Sequence, residues 1–529
     1  MRGIESRAWR LAIGSAVLQV VIFPLPNLYV LSWIAVAPLL VALLRARRPD
    51  TLQLQGAVKL LPATPIQGFL LGYVCGILWY CGSCYWIYST MKQYGGINGA
   101  GAAGLLFLFS LYLGLYHGLF GLVISVLAKW SQRAALVLSP FVWVAVELAR
   151  TRITGFPWDL LGITQVDNIP LSKLATVTGV YGISLEIMIV NAAFAAAFLL
   201  HRSRRRSLLF AAIAAAFLLQ SARWIPAPKF PTDRTALLVQ ENIPVLDSND
   251  WTRQFFDDTL TNLSRISLNP PGGMPQHSSL IAWPESPAPF YAGDPLFRTA
   301  LSKIASSAHT WVVVGSIGVE SAKTSSQQPS QIFNSAALVS PDGQFVARYD
   351  KVHLVPFGEY LPFKDWLGFA GGLTKEVGDF SRGQSRAPLQ AGDEKLGIFI
   401  CYESIFPDEV RQFAKNGAQV FVNISNDGWY GDSGAYAQHL KQARMRAVEN
   451  ARWLLRTTNT GVTAAIDPDG RVEQTVPRKI RTVLQASYAL NDSTTFYTRH
   501  GDWLAYLCAI ISIGALVIAL TPAKGRLSA

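Results

Sequence analysis

The sequence predicts a protein in two parts. One is a multi-pass α-helical membrane domain with eight transmembrane helices, and the other is a layered α/β domain outside the membrane. Three observations carry that prediction. Seven apolar stretches precede a polar block and one follows it. Basic residues crowd alternate connections between those stretches. The polar block strings short β-rich runs between amphipathic helical ones.

Composition agrees. Half of the 529 residues are hydrophobic, 15% are charged, and the mean hydropathy is +0.26. That profile excludes a disordered chain and a small disulfide scaffold. The net charge of +12 raises the question of a nucleic-acid partner. Residues 1–231, however, hold 19 Lys/Arg against 6 Asp/Glu, while residues 232–529 hold 27 against 28. The excess therefore lies in the hydrophobic part, where no soluble groove-sized patch exists, and a nucleic-acid partner is not expected.

The apolar stretches run at about 9–24, 28–44, 66–89, 100–127, 134–149, 174–200, 207–224 and 503–521. The first follows Arg2, Arg7 and Arg10 but lacks an A-x-A-like exit, so it reads as a retained span. One set of connections carries Arg2/Arg7/Arg10, Arg45/Arg47/Arg48/Lys59, Lys129/Arg133, Arg202/Arg204/Arg205/Arg206 and Lys524/Arg526. The opposite set carries only Lys92, Arg150, Arg152 and Lys173, with Arg223 and Lys229 leading into the polar block. Both termini are then cytoplasmic and the polar block is external. The expected domains are 1–231 (seven helices), 232–495 (the external domain) and 496–529 (the eighth helix and a tail).

Within 232–495, strands are expected at Thr235–Gln240, Ser279–Trp283, Trp311–Gly315, Ser335–Val339, Leu396–Ile400, Val420–Ile424 and Val462–Ile466. Helices are expected at about 250–267, 294–306, 407–416 and 436–451. Pro341-Asp342-Gly343 and Asp467-Pro468-Asp469-Gly470 read as turns, and the Ser/Gln stretch 321–331 as a loop. Such alternation favours a layered sandwich over a barrel.

Five cysteines, four of them in apolar segments, suggest no disulfide framework. Cys81 and Cys84 have the spacing of a thiol pair, but incidental packing residues are the alternative. His353 and His439 lack metal-ligand spacing, so no metal and no cofactor are expected.

Three polar groups lie at the ends of β-rich runs: Glu285 after Ala282-Trp-Pro, Lys351 after Arg348-Tyr-Asp, and Cys401 after Leu396-Gly-Ile-Phe-Ile. Strand C-terminal edges are where open α/β sheets place ligands. A thiol that attacks a carbonyl, a carboxylate that accepts its proton and a cation for the oxyanion are sufficient for acyl transfer.

The surrounding text resembles a known family. Ala282-Trp-Pro-Glu285, Asp350-Lys-Val-His-Leu-Val-Pro-Phe-Gly-Glu-Tyr360 and Ile400-Cys-Tyr-Glu-Ser404 resemble the catalytic stretches of the nitrilase (carbon–nitrogen hydrolase) superfamily, whose fold is an αββα sandwich. Several further stretches resemble its membrane-bound branch, the apolipoprotein N-acyltransferases. These are Glu147-Leu-Ala-Arg150 with Gly155-Phe-Pro-Trp158, Asn426-Asp-Gly-Trp-Tyr-Gly431, Gln438-His-Leu through Asn450, Thr458-Asn-Thr-Gly461 and Arg499-His-Gly-Asp-Trp503. Gly428 departs from that pattern, where a larger residue is common, and so does Glu186, in a usually apolar helix.

The resemblance implies Cys401 as nucleophile, Glu285 as general base and Lys351 as oxyanion stabiliser, with the Tyr402 amide as a second oxyanion donor. It implies Glu359 as an orienting carboxylate, where turn capping is the alternative, and Glu403 as a support, where a structural salt bridge is the alternative. Lys351 is expected to depress the Cys401 pKa. The apolar run 361–372, with Trp366 and Phe369 as interfacial anchors, is a candidate lid unless it is ordinary packing, and Trp429 is a further substrate-side candidate. Glu147 either pairs structurally or meets a lipid head group, and Glu186 has no partner to name. The implied reaction moves an acyl chain from a phospholipid, through a thioester, to the α-amine of a diacylated lipoprotein cysteine. The enzyme is expected to be a monomer in an inner membrane with a periplasmic catalytic domain. A membrane-tethered amidase that passes the acyl group to water is the alternative enzyme. A transporter with a degenerate sensor domain is disfavoured by the retained Glu285, Lys351 and Cys401.

Overall fold

The computed structural model describes residues 3–48, 60–199, 202–245, 251–275, 278–285, 290–320, 331–360 and 380–521. The helices before the polar block are α1 (Ser6–Val21), α2 (Ala37–Leu44), α3 (Pro65–Ser83), α4 (Trp86–Gln93), α5 (Gly99–Trp130), α6 (Gln132–Ala149), α7 (Ile169–Ser172), α8 (Ala175–Thr178), α9 (Val180–Leu199) and α10 (Arg202–Ser221). Their starts follow local chemistry. Thr64 and Gln67 form a reciprocal capping box ahead of Pro65, and the Asn98 side chain accepts from the Gly101 amide at the head of α5.

Six described helices are long and apolar enough to cross a membrane: Pro65–Ser83, Gly99–Trp130, Gln132–Thr154, Val180–Leu199, Arg204–Trp224 and Trp503–Leu520. The other two expected spans are shorter. Ser6–Val21 has 16 residues, and the 28–44 stretch divides into a 3-10 turn, Tyr29–Trp33, and α2. Asn191 of α9 fills that break. Its Oδ1 accepts from the amides of Val36 and Ala37 (2.8 and 2.9 Å) and its Nδ2 donates to Ser32 O (2.8 Å). In an apolar surround, interrupted backbone must find such partners. The 66–89 stretch divides into α3 and α4. The 174–200 stretch breaks at Gly179, whose φ of +65° and closeness to the Tyr497 ring exclude a side chain.

α3 and α5 cross in close contact because glycines line the seam. Gly68, Gly72 and Gly76 recur every fourth residue, opposite Gly114, Gly118 and Gly121. A Cβ on Gly72 would stand 2.1 Å from His117 O, and one on Gly121 would stand 2.1 Å from Gly68 O. This is small-residue packing, in which van der Waals contact between backbones replaces a hydrophobic drive.

The polar block forms two six-stranded mixed sheets. The first runs β12 (Thr482–Tyr488), β1 (Arg234–Gln240), β2 (Leu280–Ala282), β3 (Trp311–Glu320), β4 (Gln331–Val339), β5 (Phe345–Asp350). The second runs β11 (Val472–Thr475), β10 (Ala464–Ile466), β9 (Leu454–Thr458), β8 (Val420–Ser425), β7 (Glu394–Ile400), β6 (Leu389–Ala391). Strands β1–β2–β3 and β7–β8–β9 are parallel. Period-2 alternation sorts the side chains. Ala236, Leu238, Val313, Ala336 and Leu338 enter the core between the sheets. Their neighbours Leu237, Val239, Val312, Val314, Ala337 and Val339 pack against α11 (Arg253–Leu268) and α12 (Pro295–Ala308). On the other sheet, Phe399 meets Phe413 of α13 (Pro407–Lys415), and α14 (Ala435–Asn450) adds Ala443 and Ala447. The layers are α, β, β, α. The chain then passes through α15 (Phe496–His500) into α16 (Trp503–Leu520). Of the expected loop 321–331, only Gln331 is described, and it opens β4.

The sandwich sits on one end of the helices. Gln438 Nε2 donates to Pro24 O (2.7 Å) and Ser83 O (3.1 Å), while its Oε1 accepts from Trp158 Nε1 (2.7 Å). Glu449 accepts from the Val180 amide at the start of α9 (3.0 Å), and Asp167 takes both Lys441 and Arg444. Arg45, which donates to Leu199 O, lies at the opposite end, near Arg7 and Arg205.

Substituting Gly72→Val or Gly121→Val should lower the thermal midpoint of the detergent-solubilised protein, at a cost of about 1–3 kcal/mol of overpacking. Gly104→Ala, where an added Cβ meets nothing within 4 Å, should not lower it. Equal midpoints for all three variants would contradict the packing described.

Candidate active site

Glu285 lies just beyond β2, Lys351 directly after β5, Cys401 directly after β7 and Asn426 directly after β8. The two sheets therefore bring the three predicted residues to one buried place. Lys351 is 1% exposed, and Glu285 and Cys401 are each 7% exposed. Lys351 Nζ donates to Glu359 Oε1 (2.9 Å) and to Glu285 Oε1 (3.2 Å). Asn334 of β4 ties the carboxylates together, its Nδ2 reaching Glu285 Oε1 (2.8 Å) and Glu359 Oε1 (2.6 Å). The Asn426 amide donates to Glu285 Oε2 (2.9 Å) and the Val355 amide to Glu359 Oε2 (2.8 Å). Burial alone would lower the lysine pKa. The paired carboxylates outweigh it and hold Lys351 well above its ordinary range, as an ammonium.

Cys401 has φ +49°, a left-handed conformation that a non-glycine residue adopts at some cost. It opens a 3-10 turn, Cys401–Ile405. Lys351 does lower the Cys401 pKa, as expected, but the net shift is upward. Burial pushes the thiol up, the Glu285 carboxylate pushes it further, and the Lys351 cation offsets them only in part. The resting group is a thiol beside a base, able to lose its proton as it reacts.

Known proteins match this chain at both of its parts. The apolipoprotein N-acyltransferase N-terminal domain family matches residues 15–193, and the carbon-nitrogen hydrolase family matches residues 259–497. An apolipoprotein N-acyltransferase of Geobacter metallireducens is 34% identical, over 98% of this chain and 95% of its own length. One of Methylococcus capsulatus is 34% identical, over 85% of this chain and 87% of its own. The chain belongs to the apolipoprotein N-acyltransferase family. Among solved structures, an amidase from Nesterenkonia sp. aligns with 53% of this chain and 98% of its own at 19% identity, with a TM-score of 0.35.

Other predicted residues of this family member divide by position. Among the described residues Glu403 forms hydrogen bonds rather than a salt bridge. Its Oε1 accepts from Tyr349 Oη (2.8 Å) and the amides of Val352 (2.7 Å) and His353 (3.0 Å), and its Oε2 accepts from the Ile400 amide (2.7 Å). It thereby staples the strand carrying Cys401 to the segment carrying Lys351, though burial raises its pKa to about 7. The Tyr402 hydroxyl reaches Gly155 O (3.4 Å), in the segment between α6 and α7. Trp429 is exposed where the sandwich meets α4, its ring edge-on to Tyr94 and its carbonyl accepting from Thr90. Trp366 and Phe369 lie outside the described residues.

Glu147 has a structural partner set: Oε1 accepts from Trp143 Nε1 (3.1 Å) and the Leu161 amide (2.8 Å). Glu186 is half-buried, its Oε2 without a partner among the described residues. Cys81 and Cys84 are free thiols. Asn334 does not stand out in the sequence because it sits inside a strand, away from the three motifs. Its one signal is an amide interrupting an apolar run, Ile332-Phe-Asn-Ser-Ala-Ala-Leu.

The pKa balance at Cys401 predicts its alkylation profile. The iodoacetamide rate should climb through the alkaline range with no plateau at neutral pH. Lys351→Met removes the offsetting cation and should move the profile further alkaline, while Glu285→Gln removes a raising charge and should move it down. A neutral-pH plateau in the native protein would instead reveal a preformed thiolate.

Proposed function

We propose that the protein transfers an acyl chain from a phospholipid to the α-amine of an S-diacylglyceryl-cysteine at a lipoprotein N-terminus, by way of a thioester on Cys401. The observation that supports this reading is the buried cluster itself. A strand-end thiol shares its surroundings with an ammonium fixed between two carboxylates, on a chain matched by its family at both ends.

In the first half-reaction, Glu285 takes the thiol proton as sulfur attacks the ester carbonyl. Lys351 Nζ and the Tyr402 amide receive the oxyanion. Collapse of the tetrahedral intermediate breaks the ester C–O bond, and the departing lysophospholipid alkoxide recovers the proton. In the second half-reaction, the lipoprotein amine attacks the thioester carbonyl and gives a proton to Glu285. The C–S bond breaks, and the sulfur is reprotonated by Glu285. One site thus serves two lipid substrates in turn, which a covalent intermediate permits.

Transfer to an amine requires that water be kept from the thioester. Tyr402, Ile405, Phe406 and Tyr430 beside Cys401 belong to the same apolar cluster as the membrane helices. That continuity supports a site that opens toward lipid. The run 361–372, with Trp366 and Phe369, and Trp429 beside α4 are the proposed lid and substrate contacts. The remaining topology follows: eight spans, cytoplasmic termini and a periplasmic catalytic domain on an inner membrane. The grouping of Arg45 with Arg7 and Arg205, away from the sandwich, supports that orientation.

Incubating the protein with phospholipid labelled in its acyl chain should yield a hydroxylamine-sensitive adduct that Cys401→Ala abolishes. Adding a diacylated lipopeptide should move the label to the peptide amine. A persistent adduct in Cys401→Ala would remove the nucleophile assignment, and release only to water would favour the amidase.

A further inference from the structure

Behind the nucleophile lies a buried polar group that the chemistry above does not use. His439, on α14, is 0% exposed. Its Nε2 stands 3.1 Å from the backbone carbonyl oxygen of Cys401 and 2.7 Å from Ser404 Oγ. Its Nδ1 faces Asp427 Oδ1 (2.9 Å) and Arg456 Nη2 (3.1 Å). Arg456 Nη2 also donates to Asp427 Oδ2 (2.8 Å), and Ser425 Oγ donates to Asp427 Oδ1 (2.8 Å). Trp158 lies nearly parallel to the imidazole at 5.9 Å between centroids, and Tyr430 meets it edge-on at 5.7 Å. The ring is fixed on every side.

A carbonyl oxygen only accepts, so the contact with Cys401 O is a hydrogen bond in the tautomer that carries its proton on Nε2, the one in which Nδ1 accepts from the Arg456 guanidinium. The peptide unit joining Cys401 to Tyr402 is planar and trans, so its C=O and N–H point in opposite directions. Whatever holds the Cys401 carbonyl against α14 therefore aims the Tyr402 amide the other way. The left-handed φ of Cys401 makes this orientation costly to keep unaided.

We infer that His439, oriented by Asp427 and Arg456, is a positioning residue that locks the Cys401–Tyr402 peptide plane so that the Tyr402 N–H faces the reacting carbonyl. This rests on the acyl-transfer reading and adds to it the source of the oxyanion donor's alignment. His439 touches neither substrate nor thiol. Removing its donor should weaken oxyanion stabilisation without changing lipid binding or the nucleophilicity of Cys401.

The test uses the full-length protein and acyl-labelled phospholipid under single-turnover conditions, alongside iodoacetamide alkylation of Cys401, which forms no oxyanion. His439→Phe keeps a planar ring and removes the donor. It should slow thioester formation by ~10²-fold, the usual cost of a lost oxyanion donor, with half-saturating phospholipid and alkylation rate unchanged. His439→Gln, whose amide can donate from the Nε2 position, should recover much of the rate. If the Phe variant does not fold, Asp427→Asn, which keeps the side-chain volume, should give a smaller loss of thioester formation while its alkylation profile moves down in pH, because the Asp427 charge also raises the thiol. A His439→Phe protein that acylates normally overturns the inference, as does a parallel fall in acylation and alkylation or a Gln variant no better than Phe. If the native protein forms no thioester, the acyl-transfer reading itself fails, and that outcome is distinguishable from all of these.

Discussion

A buried ammonium persists only where carboxylates share its surroundings, and Lys351 has two. Desolvating an unpaired charge costs several kcal/mol even after the protein relaxes, so an isolated lysine here would give up its proton. Glu285 and Glu359 prevent that. Asn334 donates to both carboxylates, and backbone amides of Asn426 and Val355 take the remaining oxygens. The pair of sheets can be understood from this constraint. The ends of β2, β5, β7 and β8 must converge closely enough for one lysine to reach two acids beside a thiol.

The same convergence explains the state of the nucleophile. Cys401 feels both the Glu285 carboxylate and the lysine cation, and burial tips the balance toward the thiol. A neutral thiol suits a site that waits for a lipid. It limits reaction with stray electrophiles and makes deprotonation part of the reaction with substrate. The helical part completes the arrangement, since Trp158, between α6 and α7, packs on His439, and Gln438 bonds to Pro24 just beyond α1 and to Ser83 at the end of α3. Helical part and sandwich thus meet within one side-chain layer of the nucleophile's backbone.

Much of this was legible in the sequence, for physical reasons that can be named. Glu285 and Cys401 close apolar strands, and polar groups in such places stand out. Strands buried on both faces, such as Leu396–Ile400 of β7, read as unbroken apolar runs. β5 escaped because Phe345-Val-Ala-Arg-Tyr-Asp lies at a sheet edge and mixes charge with apolar residues. β12 and β9 escaped because polar residues, Gln485 and Ser487 in one and Arg456 and two threonines in the other, break their pattern. The net rise of the Cys401 pKa is not legible in the sequence because burial, the largest influence, is a property of the fold. The glycine seam between α3 and α5 and the His439 network both depend on which elements touch, and no single motif announces contact at that distance. The 28–44 span looked continuous because hydropathy does not register a backbone break filled by Asn191.

Lys351 is a charge held by its two acids, and a double-mutant cycle with Lys351→Met and Glu359→Gln, read by thermal unfolding of the full-length protein in detergent, measures how far the groups depend on each other. Breaking the buried pair from one side should be costly, about 3–5 kcal/mol for Lys351→Met alone. Removing Glu359's charge as well should restore a clear part of that loss, giving strongly non-additive effects. Strict additivity would mean that the two groups do not depend on each other, and would contradict the account.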